Sequence, residues 1–226
     1  MPRSLTLYVP EETSVRVIQC SPPSWMAYWV ALEKGHQPRL VRLDFAKGEH
    51  KTSAMRALNP RGTIPVLEHD GHAVYETLAI LSYLDDVLPG PELMPREPPA
   101  RARALSLYHA AGELKNRGMA VFAYLMRNTP SSHDPTLEQL CNEMSQELGF
   151  WETLADERRY RAGEFSLVDC VVYPYLATAR QLGFDLKAAA PRLARYCQRT
   201  AERPALIEST PRTWSEPLDV LKPYSP

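Results

Sequence analysis

The chain reads as a small α/β domain followed by an all-α domain, and three observations carry that reading. Strand-like and helix-like segments alternate up to about residue 87. Residues 88–99, Leu-Pro-Gly-Pro-Glu-Leu-Met-Pro-Arg-Glu-Pro-Pro, hold too much proline for helix or sheet. Beyond them apolar residues recur at helical spacing to about residue 202, with no convincing strand. The expected division is 1–87, a linker at 88–99, and 100–226.

Val15-Arg-Val-Ile-Gln19 alternates like a short strand. It is favoured as the first strand over Leu5-Thr-Leu-Tyr-Val9, because it ends two residues before Ser21 whereas a strand at 5–9 requires a long loop. Cys20-Ser-Pro-Pro-Ser-Trp25 then leads into the helical run 26–34, which closes on Gly35, a residue suited to a C-cap. Asn59-Pro-Arg-Gly62 is turn chemistry, and Pro65 opens the apolar strand Val66-Leu67, leaving backbone groups free on one side for an extended ligand. Asp70-Gly71 suits a two-residue hairpin turn. Ala73-Val74-Tyr75 follows and runs into Glu76-Thr77 and the helical pattern Leu78, Leu81, Leu84. The N–H groups and dipole at that helix start favour a carboxylate, with the Thr77 hydroxyl as an added donor.

In the second half, helices are expected near 99–127, 135–159, 166–182 and 190–202. Ser166 and Asp169 have capping-box spacing, with Asp in place of the usual Glu, and Phe165 and Cys170 flank them as a hydrophobic staple. Pro174 should bend the helix that follows. The last 20 residues, rich in proline, are expected to form an irregular tail anchored by Trp214.

With 226 residues, 44% of them hydrophobic, and a net charge of -1, the chain can build one large or two ordinary domains. It has no electrostatic reason to seek nucleic acid or a membrane. No apolar run approaches the length of a membrane span and the N-terminus lacks a signal-peptide core, so a cytoplasmic location is expected. Cys20, Cys141, Cys170 and Cys197 show no paired spacing and read as reduced thiols. The six histidines form no ligand cluster, so no metal is expected.

The stretch Asn59 to Asp86, with the Ser-Pro-Pro-Ser-Trp segment and Lys47-Gly-Glu-His-Lys51, resembles the cytosolic glutathione S-transferase family over nearly the whole chain. Ala57-Leu-Asn-Pro-Arg61, Glu202-Arg-Pro-Ala-Leu206 and Trp214-Ser-Glu-Pro-Leu218 look most like its rho class, with zeta and phi next. The resemblance implies a thioredoxin-like glutathione-binding domain at 1–87 and an all-helical domain at 100–226 that carries the electrophile pocket. It implies that the Ile64-Pro65 bond is cis and that Ile64 pairs its backbone with the cysteinyl part of glutathione. Glu76 and Thr77 would then hold the γ-glutamyl carboxylate, and His50 and Lys51 the glycine carboxylate. A homodimer is also implied, with glutathione as co-substrate and an apolar electrophile as second substrate.

The implied chemistry is activation of glutathione's thiol, whose free pKa is roughly 8.5, by a hydroxyl donor and a helix N-terminus. Ser21 is the first choice for the donor by resemblance to serine-type transferases, and Ser24 the second, its plain alternative being a helix N-cap. Cys20 could instead form a mixed disulfide, but Pro23 stands where a Cys-x-x-Cys partner would be. Tyr8 resembles the catalytic Tyr of other classes yet lies far before the helix. Met119, Phe122 and Met126 are candidates for the electrophile pocket, expected between the domains. Two further functions stay open. One is a zeta-type maleylacetoacetate isomerase, against which stand Pro22, Pro23 and Gln181; the other is a non-catalytic binding or structural member.

Overall fold

The computed structural model describes residues 4–15, 20–131, 133–155, 160, 162–214 and 221. Among them the chain forms two compact units, residues 1–94 with 204–213, and residues 95–203 with 214–226. The first holds β1 (Leu5–Pro10), α1 (Pro22–Glu33), β2 (Arg39–Leu43), α2 (Ser53–Leu58), β3 (Val66–His69), β4 (His72–Tyr75) and α3 (Thr77–Val87). The second holds α4 (Pro98–Arg127), α5 (Pro135–Thr153), α6 (Leu167–Leu182), the short α7 (Leu186–Ala189) and α8 (Pro191–Ala201). The last helix, α9 (Pro204–Ser209), returns to the first unit and packs on α1. This is the expected architecture, a thioredoxin-like α/β domain followed by an all-helical one. Among the described residues no helix is long and apolar enough to cross a membrane.

The sheet runs β2-β1-β3-β4, with β1 and β2 parallel and the other two pairs antiparallel. One expectation fails here. The first strand is Leu5–Pro10, and of the favoured segment 15–19, Val15 lies outside any strand while 16–19 lie outside the described residues. The reason is burial on both faces. Leu7 and Val9 are buried in the core, while Tyr8 packs on the other face against the cluster of Leu43, Met55 and Val66. The long connection that counted against this strand is tied down: Glu11 N–H donates to Leu43 O at 2.8 Å, a 3₁₀ turn follows at Glu12–Ser14, and Phe45 N–H donates to Ser14 Oγ at 3.2 Å.

Local signals explain the other elements. Gly35, at φ +76°, closes α1, with Gly35 N–H on Leu32 O and His36 N–H on Ala31 O, which together satisfy two carbonyls of the last turn. Asp70 and Gly71 both have positive φ, as the tight β3–β4 turn requires. In the second unit Ser166 and Asp169 form the capping box, Ser166 N–H reaching Asp169 Oδ2 at 3.0 Å. Tyr196 of α8 donates to the other oxygen of Asp169 at 3.1 Å, and Asp169 is fully buried. The helix it starts continues through Pro174, where Thr178 Oγ1 donates to the Pro174 carbonyl at 2.7 Å.

Candidate functional site

Strand direction gathers the candidate residues. Val41, Tyr8, Val66 and Tyr75 form one row across the four strands. Given that register, the C-terminal ends of β1, β2 and β4 and the N-terminal end of β3 lie at the same edge of the sheet. From that edge leave the segments leading to Ser21, to His50-Lys51 and to Glu76-Thr77, and Ile64-Pro65 arrives at it. Open α/β layers bind ligands outside the carboxyl ends of their strands for this reason.

Ser21 occupies the N-cap of α1 with its carbonyl accepting from Trp25 N–H at 2.9 Å, but its side chain makes no capping bond. Pro22 and Pro23 fill the first two helical positions, so Ser24 is the first residue of the helix that carries an N–H at all. Ser24 is buried and its hydroxyl donates to Ser21 Oγ at 3.1 Å. Ser24 is therefore not the cap. The contact fixes the position of Ser21 Oγ, and a hydroxyl has one donor and two acceptor sites to share between Ser24 and a ligand.

The two rivals are engaged otherwise. Cys20 is buried, and burial first, then the negative Glu12, hold its thiol well above the usual range, which disfavours a thiolate. The Tyr8 hydroxyl donates to Glu68 Oε2 at 2.9 Å, and burial followed by that carboxylate raises its pKa.

His50 and Lys51 lie in a 3₁₀ turn after β2, opened by Gly48 at φ +70°. Lys51 is exposed. The His50 ring tilts against Phe45 with centroids 4.1 Å apart, and its Nδ1 is buried without a hydrogen-bond partner among the described residues. Burial, then the Lys51 charge, lower its pKa, so the imidazole is neutral near pH 7. The next turn packs close by: a Cβ on Gly62 would stand 3.5 Å from His50 O. Buried Asn59 stiffens that turn, Nδ2 donating to Thr63 O at 2.7 Å and Oδ1 accepting from Arg61 N–H at 3.1 Å. It delivers Ile64-Pro65, whose peptide bond is cis.

Glu76 is the N-cap of α3 and Thr77 its first residue. Glu76 has φ +68°, a conformation that costs a non-glycine residue about 1–3 kcal/mol and persists where its surroundings impose it. Its exposed carboxylate lies 3.4 Å from Arg61 Nε. A carboxylate beside a helix N-terminus is chemistry suited to a zwitterion, the acid holding an ammonium and the helix end a carboxylate.

A cavity of about 190 Å³ includes Ser21, Ser24 and Cys20 in its lining but none of His50, Lys51, Ile64, Pro65, Glu76 or Thr77. Its other walls are residues that sequence reasoning missed: Arg42 of β2, Glu12, and the end of α9, where Ser209 accepts from Trp25 Nε1 at 3.0 Å. The available signals were the proline that starts α9 and the long β1–α1 connection. On α4, Met119 is exposed and Phe122 and Met126 are half-buried. Among the described residues no group of three or more His, Cys, Asp and Glu side chains is placed to hold a metal ion.

Comparison with known proteins adds an independent line. The family model described as "Glutathione S-transferase, N-terminal domain" matches residues 20–87, and "Glutathione S-transferase, C-terminal domain" matches residues 134–199. Glutathione S-transferase A of Pleuronectes platessa is 31% identical over 204 residues, covering 87% of this chain and 90% of that protein. A maleylacetoacetate isomerase of Pseudomonas aeruginosa is 29% identical over 167 residues, 73% of this chain and 78% of that one. The crystal structure of a glutathione S-transferase from the Antarctic clam Laternula elliptica superposes with a TM-score of 0.82 at 25% identity, over 96% of this chain and 99% of that one.

Proposed function

Because the chain belongs to the glutathione S-transferase family, we propose that it conjugates glutathione to apolar electrophiles and that the Ser21 hydroxyl stabilises the attacking thiolate. One observation supports the serine assignment: Ser21 is the N-cap residue of α1, its hydroxyl makes no capping bond and lies 3.1 Å from Ser24 Oγ, so a hydroxyl able to donate stands at the helix start where a sulfur would bind. The two prolines remove backbone donors there, so the hydroxyl bears more of the work than a bare helix end would. Each unit by which it lowers the thiol pKa is worth about 1.4 kcal/mol and about tenfold more thiolate while the thiol is mostly protonated.

Around the sulfur, the backbone of Ile64 before cis-Pro65 pairs with the cysteinyl unit, and Glu76 with Thr77 holds the γ-glutamyl end. Lys51 supplies the charge for the glycine carboxylate, while neutral His50 offers a hydrogen bond. Residues 1–87 form the glutathione-binding domain, 88–99 the linker and 100–226 the helical domain, except that 204–213 pack with the first unit. The protein is a cytoplasmic homodimer of rho-class type.

The test is one preparation assayed with glutathione against a panel of model electrophiles, an organic hydroperoxide and maleylacetoacetate. Conjugation of the electrophiles is the expected result. The second reading, a maleylacetoacetate isomerase, draws support from the Pseudomonas relative and from Ser21, Ser24 and Trp25. A preference for maleylacetoacetate in that panel would establish it instead.

A further inference from the structure

The start of α1 is braced from the far end of the chain. Ser21 accepts Trp25 N–H through its backbone carbonyl at 2.9 Å, and the intervening Pro22 and Pro23 bring no N–H of their own to that first turn. Trp25 thus closes the turn that carries Ser21. Its indole is buried and donates through Nε1 to Ser209 Oγ at 3.0 Å. Chemistry fixes the sense of that bond, because an indole N–H can only donate and the Ser209 hydroxyl gives its own hydrogen to Leu206 O at 3.0 Å. Ser209 ends α9, which turns Leu206 and Ser209 inward and leaves Ile207 and Glu208 exposed. All of these residues belong to the first unit, where α9 packs on α1 and Ser209 shares one cleft lining with Ser21, Ser24 and Trp25. A line of bonds therefore runs from Leu206 O through Ser209 and Trp25 to the Ser21 carbonyl. Alanine at 209 removes the acceptor from a buried indole N–H, which moves the ring and the turn it closes.

We propose that Ser209 is a positioning residue for the reaction at Ser21: by fixing Trp25 it fixes the first turn of α1, so residues 204–213 belong to the thiolate-binding apparatus although they follow the helical domain in sequence. This rests on the transferase reading, because the sulfur is what the Ser21 hydroxyl is placed to meet. Ser209 acts through Ser21 and needs no contact with glutathione. The residues assigned to the two carboxylates of glutathione lie on other segments, His50-Lys51 after β2 and Glu76-Thr77 at the start of α3, so the brace affects thiol activation and not glutathione binding.

The test uses Ser209→Ala and Trp25→Phe singly, and Ser209→Ala combined with Ser21→Ala. Each is assayed with glutathione and chlorodinitrobenzene well below its melting temperature. Both single variants are expected to lower kcat about fivefold, the scale of one neutral hydrogen bond, and to shift the pH–rate profile upward at an unchanged KM for glutathione. Added to Ser21→Ala, Ser209→Ala should cost nothing further, because the group it positions is gone. Wild-type kcat and pH profile in both single variants, with Ser21→Ala still impaired, overturn the brace and leave the serine reading intact. A further loss of about fivefold on top of Ser21→Ala overturns it too, as does a raised KM for glutathione with an unshifted profile, since either means that α9 supports the domain at large. Full turnover by Ser21→Ala removes the serine reading itself, and the brace with it.

Discussion

Ser21 and Ser24 stand at the N-cap and third position of α1, and position and burial separate their roles: Ser21 is partly exposed with no capping bond, Ser24 is buried. Ser21→Ala removes the donor to the thiolate and should cost roughly 1.5–3 kcal/mol, about one to two decades of rate near neutral pH, with a pH–rate profile shifted upward. Ser24→Ala removes only a neutral bond that orients Ser21, so it should retain most of its activity, losing about two- to fivefold. Cys20→Ala, at a buried and protonated thiol, should also retain most. A glutathione adduct on Cys20 by mass spectrometry, with Cys20→Ala inactive, would instead mark a thiol-exchange enzyme. Glu76→Ala and Thr77→Ala act on a remote part of glutathione, so they should raise its KM with smaller effects on kcat. A large fall in kcat at unchanged KM would refute that assignment. His50 carries a pH signature. Its pKa is lowered in the folded protein, so the unfolded chain binds the proton more readily, and stability should fall as pH drops below about 6.5. Unfolding titrations of His50→Gln should lose that part of the pH dependence.

At the scale of elements, one buried ion pair ties α1, α3 and the start of the linker together. Lys34 Nζ meets Asp85 Oδ1 at 2.9 Å and Pro91 O at 2.7 Å, while Asp85 accepts the N–H groups of Leu93 and Met94, each at 2.9 Å. Both side chains are almost fully buried. Gly90 fits because a Cβ there would lie 2.8 Å from the Lys34 carbonyl oxygen. Asp85→Ala would leave a buried ammonium and two backbone donors short of an acceptor. It should cost about 3–5 kcal/mol, visible in thermal unfolding as a fall of roughly 6–20 °C. A shift of only a degree or two would mean that this lock is dispensable. None of this was legible beforehand, since Lys34 and Asp85 are separated by four elements, β2, α2, β3 and β4, and each reads as an ordinary surface charge. The Ser166–Asp169 box, in contrast, was legible because its partners are three residues apart.

For the whole molecule, a ligand that binds only the folded state stabilises it by mass action. Glutathione at about 100 times its Kd should add about 2.7 kcal/mol and raise the melting temperature by roughly 5–10 °C. That shift without turnover of any electrophile would identify a non-catalytic member, and no shift would count against glutathione binding altogether. The sequence by itself determined the two-part architecture, the tight turn at Asp70-Gly71, the C-cap at Gly35 and the start of α6, because each depends on periodicity or on residues within a few positions of one another. Resemblance over the motifs brought in the family and the cis bond at Pro65. Tertiary structure alone decided which of two plausible strands is β1, since alternation at 5–9 and at 15–19 looks alike until both faces of a strand must be covered. It also decided that the end of α9 folds back beside Arg42 and Glu12 to wall the Ser21 cavity. Those contacts join residues up to 184 positions apart, Trp25 to Ser209, and long-range packing of that kind leaves no periodic trace in either segment.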